Sequence, residues 1–234
     1  MNRYLPVAAL FCAAVLSSCD KNAVQDITGP VATARIKFFN FGVNAPGVNF
    51  YANDKKMTAI SSTTGAEAVT GVAYGGVGSG GFYSAIDPGQ YTVTGKIAAL
   101  IDKDLAISTT PVTIATGKNY SVYLSGFYDV TAKTVAGFVV EDPFVPQIDY
   151  TVAYVRFVHA ISNANPLTLY AKSTVTAIEV PVGAEVAYQA AGAFTSVPSG
   201  VYDLSARYAG VATNAIARTA VSFNAGRVYT IGAR

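Results

Sequence analysis

The sequence predicts an all-β chain built as two tandem β-sandwiches, and three observations predict it. Charged residues are 13 % of the 234-residue chain while Gly and Tyr are abundant; ordinary soluble domains carry roughly 25 % charge. That mixture favours short strands joined by glycine-containing turns over long solvated helices. Apolar and polar residues alternate in short runs, the period of a half-buried strand, and no helical period follows the first segment. Three phrases then recur in the same order. "KFFNFGVNAP" from Lys37 returns as "RFVHAISNAN" from Arg156, and "YSAIDPGQYTV" from Tyr83 as "FTSVPSGVYDL" from Phe194. "VTIATGKNYSV" from Val112 returns as "VSFNAGRVYTI" from Val221. A repeat of that length is a duplicated domain, far longer than a solenoid unit.

Residues 1–18 read as a signal peptide. "MNRYLPVAALFCAAVLSSC" has a basic start at Arg3 and an apolar run from Tyr4 to Leu16, then small residues. The run falls short of the roughly 20 apolar residues that span a bilayer. Leu16, Ser17, Ser18 and Cys19 resemble a bacterial lipobox, which implies cleavage before Cys19 and a lipid on its sulfur; the alternative is an ordinary signal peptide with a cysteine near its cut. Cys12, the only other cysteine, lies in the segment to be removed. The mature chain then has no intramolecular disulfide and no cysteine-based metal site. Several acyl chains on Cys19 would anchor it stably, where one alone binds marginally. The expected partner is therefore a membrane, held through Cys19. The expected place is the bacterial cell envelope, at the outer membrane, with the face left open. Asp20 resembles an inner-membrane retention signal, so the inner membrane stays as an alternative. Residues 19–32, with Gly29-Pro30 and no periodicity, read as a flexible tether.

Residues 33–145 are expected to form the first sandwich. In "ARIKFFN", Ile36 and Phe38 face a core while Arg35 and Lys37 make a basic outer face. Gly89 and Gly117 are expected to supply the positive φ of tight turns before Tyr91 and Tyr120. An extra hairpin runs from "YSVYLSGFYD" to "VAGFVVED". Glu141-Asp142, beside the linker, read as solvated charge. Residues 146–151 are the linker, and Pro143 and Pro146 keep this stretch extended. Residues 152–234 are the second sandwich. There "YVRFVH" repeats the first strand, with Arg156 on its outer face, and Gly200 and Gly226 precede Tyr202 and Tyr229.

These phrases resemble a bacterial cell-envelope family, the domain of unknown function numbered 4397. In the second copy the resemblance rests on Arg156, Phe157, His159, Ala160, Pro198, Gly200, Tyr202, Gly226, Tyr229 and Thr230. The first copy departs at Asn40, where the family has His, and carries extra residues at about 55–80. The resemblance implies sandwiches similar to immunoglobulin-like or transthyretin-like domains. It implies no activity, cofactor or catalytic residue.

Few residues suggest chemistry. "GVGSGG" from Gly76 matches G-x-G-x-x-G, but strand and turn follow it, and a dinucleotide site needs a helix there. His159 is the only histidine, so a catalytic triad has at most one centre. Asn40 and His159 are expected to anchor the loops that follow their strands. Asp102 and Asp104 read as a polar turn. Tyr74, Phe82 and Tyr83 surround the Gly-rich stretch from Gly71 to Tyr83, which reads as a mobile loop the sandwich does not need, and are the candidate binding residues. A formal net charge of +2 without a run of basic residues excludes nucleic acid. The expectation is a non-enzymatic lipid-anchored protein, without cofactor or metal, whose modules contact an envelope protein or a glycan. A small-molecule or glycan binder using strand-end loops is the alternative.

Overall fold

Sixteen strands and one short 3-10 turn make up the described residues, 33–58 and 70–234, of the computed structural model. The signal segment, Cys19 and the tether lie outside the described residues. The first eight strands are β1 (Ala34–Asn40), β2 (Val48–Ala52), β3 (Lys55–Lys56), β4 (Ser84–Ile86), β5 (Gly89–Ile97), β6 (Ala106–Ile114), β7 (Asn119–Asp129) and β8 (Thr134–Glu141). They form two four-stranded sheets, ordered β4-β1-β7-β8 and β3-β2-β5-β6. The next eight are β9 (Val152–His159), β10 (Leu167–Ser173), β11 (Glu179–Pro181), β12 (Ala190–Ala191), β13 (Thr195–Pro198), β14 (Gly200–Tyr208), β15 (Ile216–Phe223) and β16 (Val228–Ala233). β9 takes β12, β13 and β16 as partners in one sheet, and β11-β10-β14-β15 form the other. The chain is all-β.

Alternation builds each core. Ile36, Phe38, Val48, Phe50, Val122 and Leu124 meet in the first, with Phe38 stacked on Phe50 at 5.0 Å between centroids. Val155, Phe157, Leu167, Leu169, Leu204 and Phe223 meet in the second. Burying such a side chain contributes about 1.5–3 kcal/mol.

The two sandwiches repeat one register. β1 runs parallel to β7, pairing Ile36 with Tyr120 and Phe38 with Val122; β9 runs parallel to β16, pairing Val155 with Tyr229 and Phe157 with Ile231. β2 pairs with β5 as β10 pairs with β14, so Ala52 opposite Val93 matches Ala171 opposite Leu204. Hydrogen bonds repeat as well. Tyr91 Oη donates to Asp87 O (2.9 Å) and Tyr202 Oη to Pro198 O (2.8 Å). Ala115 N–H donates to Tyr120 Oη and Asn224 N–H to Tyr229 Oη. Strand β8, antiparallel to β7, has no counterpart beside β16 among the described residues.

The turn glycines divide. Gly117 and Gly226 take positive φ, 73° and 69°. Gly89 also takes a positive φ, 155°, which L side chains rarely adopt, whereas Gly200 does not. What those two share is a tyrosine ring folded back over them, the nearest ring atom 3.5 Å from where a Cβ would stand. At Gly200 alone the expected positive φ is missing, and the ring contact is what the structure supplies there.

Candidate functional site

The outer faces of β1-β7-β8 and of the β9 sheet pack on each other. Phe41, Tyr123, Phe138, Val158 and Ala160 form a third buried cluster, joined by Phe39, Val140 and Ala191. Tyr123 stacks between Phe39 (4.6 Å) and Phe138 (5.1 Å), and burial pushes its hydroxyl up to about 12. The faces that alternation assigned to solvent are therefore an interface. Sequence periodicity sees which residues share a face but not what covers it.

At its centre is a buried charge. Arg156 and Asp142 are each 1 % exposed and form an ion pair between Nη2 and Oδ1. Arg156 Nε also donates to Thr230 Oγ1 (3.0 Å) and Nη1 to Glu141 O (3.1 Å). Asp142 Oδ2 accepts from Tyr83 Oη (2.6 Å) and Ser121 Oγ (2.7 Å). Burial, then the bond to Asp142, raises the Tyr83 hydroxyl far above its ordinary range. The Arg156 guanidinium lies over the Phe194 ring (4.7 Å), which stacks on Phe144. Asp142 is thus not solvated charge, and the outer face that carries Arg156 is covered. A carboxylate and a guanidinium leave water together only when paired and fully hydrogen-bonded, and the pairing here joins the end of the first sandwich to the first strand of the second.

The interface has a pseudo-twofold character. Tyr74 of the first sandwich lies under the Arg234 guanidinium (4.7 Å) of the second. Tyr188 of the second bonds through Oη to Ser125 Oγ (3.0 Å) of the first. By register, Tyr74 matches Tyr188 and Arg234 matches Ser125. Lys37 over the Tyr83 ring (4.1 Å) matches Arg156 over Phe194. Burial lowers the Lys37 ammonium, the Asp142 carboxylate raises it and Arg156 lowers it further.

Asn40 and His159 end β1 and β9 in the same way. Asn40 Oδ1 accepts from Gly42 N–H (3.2 Å), and its Nδ2 donates to Pro46 O (3.1 Å) and Val72 O (2.9 Å). His159 Nδ1 accepts from Ile161 N–H (3.2 Å), which leaves Nε2–H to donate to Asn165 O (3.1 Å). Burial lowers the imidazole pKa; the Asn165 bond opposes this. Both ring nitrogens are committed to backbone, so His159 has none to offer a substrate.

The three aromatic candidates separate. Tyr83 lies in the charge network and Tyr74 lies under Arg234, while Phe82 is 77 % exposed. The Gly-rich stretch is part of the sandwich. Gly75 N–H donates to Asn40 O (2.7 Å) and Asn40 N–H to Gly76 O (3.1 Å). The second sandwich repeats this, with Gln189 N–H donating to His159 O (2.9 Å). Gly75 and Gln189 share a left-handed backbone, φ 77° and 62°. The missed signal was in the sequence: "VAYGGVG" from Val72 repeats as "VAYQAAG" from Val186. Asp102 and Asp104 sit in a turn at φ 57° and 63°, with Asp102 paired to Lys133 (2.6 Å). Among the described residues no group of His, Cys, Asp and Glu has a metal-site arrangement.

Residues 153–233 match the family described as a domain of unknown function, DUF4397. This is the family the repeated phrases resemble, and the match falls on the second sandwich. None of the curated proteins matches the chain. Among solved structures the chain is similar to "The Bacillus anthracis TIE protein", at 13 % identity and a TM-score of 0.25, over 86 % of this chain and 33 % of that one.

Proposed function

We propose that the chain is a non-enzymatic, lipid-anchored protein of the bacterial cell envelope whose two sandwiches act together as one interaction module. The observation that supports a module is the buried Arg156–Asp142 pair and the apolar cluster around it. Separating the sandwiches would leave a guanidinium and a carboxylate in apolar surroundings, each without its partner, so the pair stays in one relative position. Two sandwiches held so present a fixed surface to a protein or glycan partner. The engagement of both His159 nitrogens supports a binding role over a catalytic one. The anchor rests on Leu16-Ser17-Ser18-Cys19, with the outer membrane as the proposed place and the inner membrane, through Asp20, as the alternative.

The test is metabolic labelling with an alkyne palmitate analogue, followed by membrane fractionation and cross-linking in the native host. Wild type should carry the label, sediment with membranes and cross-link to a recurrent envelope partner. Cys19→Ala should lose the label and turn soluble. A processed Cys19→Ala chain that stays on the membrane would sink the anchor, and absence of any recurrent cross-link would sink the module.

A second reading, capture of a small amphipathic molecule, draws support from a cleft of about 600 Å³ in the second sandwich. It opens along the side of the sandwich and not among strand-end loops.

A further inference from the structure

In the first sandwich the gap between β6 and β7 is closed by β8. Val135 and Val139 face the core, and Gly137 faces β6. Gly137 sits so close that a Cβ there would lie 2.5 Å from Thr110 Oγ1 and 2.6 Å from Ser108 Oγ. In the second sandwich the strands of equal register, β15 and β16, have no such strand between them among the described residues. The cleft of about 600 Å³ opens there. Phe157, Leu169, Leu204, Ile216, Arg218 and Ile231 line it. The difference shows in burial. Ser108, opposite Gly95, is 7 % exposed, while Ile216, opposite Ala206 at the same register, is 37 % exposed.

We infer that this cleft and the edge of β16 that no described strand pairs accept an extended strand from another polypeptide, antiparallel to β16, in the place β8 holds beside β7. The inference rests on the interaction-module reading and names its surface. An unpaired strand edge offers backbone donors and acceptors to any strand of suitable pattern. The pairing of β16 with β9 uses one edge only.

β8 specifies the occupant's chemistry. It is about eight residues long, with small or β-branched apolar residues inward and an acidic C-terminal end. That end is held in the first sandwich by Lys118, whose Nζ lies 2.7 Å from Glu141 Oε1. The counterpart of Lys118 is Arg227, exposed and without an acidic partner among the described residues. Lys37, the counterpart of Arg156, likewise has no ion-pair partner among them. Arg227 and Lys37 thus stand at the positions equivalent to Lys118 and Arg156, the two cations that Glu141 and Asp142 pair at the end of β8. Outward residues of the occupant would meet Phe39 and Val77, the counterparts of Val158 and Ala191, which β8 covers. Val77 is 36 % exposed.

The test uses the full chain and a fluorescein-labelled peptide of the β8 sequence, TVAGFVVED, read by anisotropy and by hydrogen exchange of residues 228–233. Saturable binding with new protection at Val228, Thr230 and Gly232 is expected. Arg227→Glu, an exposed position, should leave the melt unchanged and weaken binding about fivefold, the scale of one surface pair. A peptide ending in VVKD should restore it. Peptide binding that fails to saturate, or that protects other residues only, overturns the inference. So does a cleft that takes dansylundecanoic acid but not the peptide, which would make it a lipid site. Recurrent cross-links of the intact chain that persist in Arg227→Glu despite a failed peptide would leave the module standing and remove only this surface.

Discussion

Asp142→Ala removes one carboxylate and strands two buried donors, Arg156 Nη2 and Ser121 Oγ, and the half-buried Tyr83 Oη. Breaking a buried pair from one side costs about 3–5 kcal/mol, because the remaining charge has neither water nor partner. For a chain of this size each kcal/mol moves the melting temperature by about 2–4 °C. The expected fall is therefore roughly 6–20 °C, followed by far-ultraviolet circular dichroism with heating. The double variant Arg156→Met with Asp142→Leu removes both charges and should recover to within about 2 kcal/mol of wild type, since apolar residues of similar volume fill such sites well. Asp142→Asn should fall between, because one oxygen still accepts. The reasoning is refuted if Asp142→Ala melts within about 1 kcal/mol of wild type, or if the double variant is no better than the single one.

Other outcomes follow from the same geometry. His159 has a folded pKa below its unfolded value of about 6.5, so its contribution to stability is complete above that value and is lost as pH falls through it toward the folded pKa. His159→Asn, the residue of the first sandwich, should hold the loop and flatten this part of the stability–pH curve; an unchanged slope would place the titration elsewhere. Replacing Gly75–Gly81 by an Asn-Gly turn should destabilise the first sandwich by about 2 kcal/mol, because two backbone bonds to Asn40 go with it; an unchanged urea midpoint would return the stretch to the status of a spare loop. Deleting Val228–Arg234 removes β16, the parallel partner of β9, and should abolish the cooperative melt of the chain. Phe82→Ser, at an exposed position, should leave stability within about 0.5 kcal/mol.

Much of the fold was legible because strands announce themselves by period. Ile36, Phe38, Val155 and Phe157 fell inward as their alternation required, and the repeated phrases marked strands of equal register. The hairpin of β7 and β8 was also legible from its two apolar runs. What the sequence could not convey was what the second face of a strand meets. Lys37 and Arg156 read as solvent-facing because a basic residue on the far side of a half-buried strand usually is. Asp142 read as linker charge because its partner lies in the next sandwich. The Gly-rich stretch misled for a different reason. Its glycines drew attention from the Val-Ala-Tyr that opens it, and Gln189 tolerates the same left-handed backbone that Gly75 adopts.

The account stands on the two sandwiches forming one unit, and scanning calorimetry of the full chain tests that most directly. A single transition, with calorimetric and van't Hoff enthalpies equal, is the predicted result. Two separable transitions, with the second sandwich melting apart from the first, would contradict it.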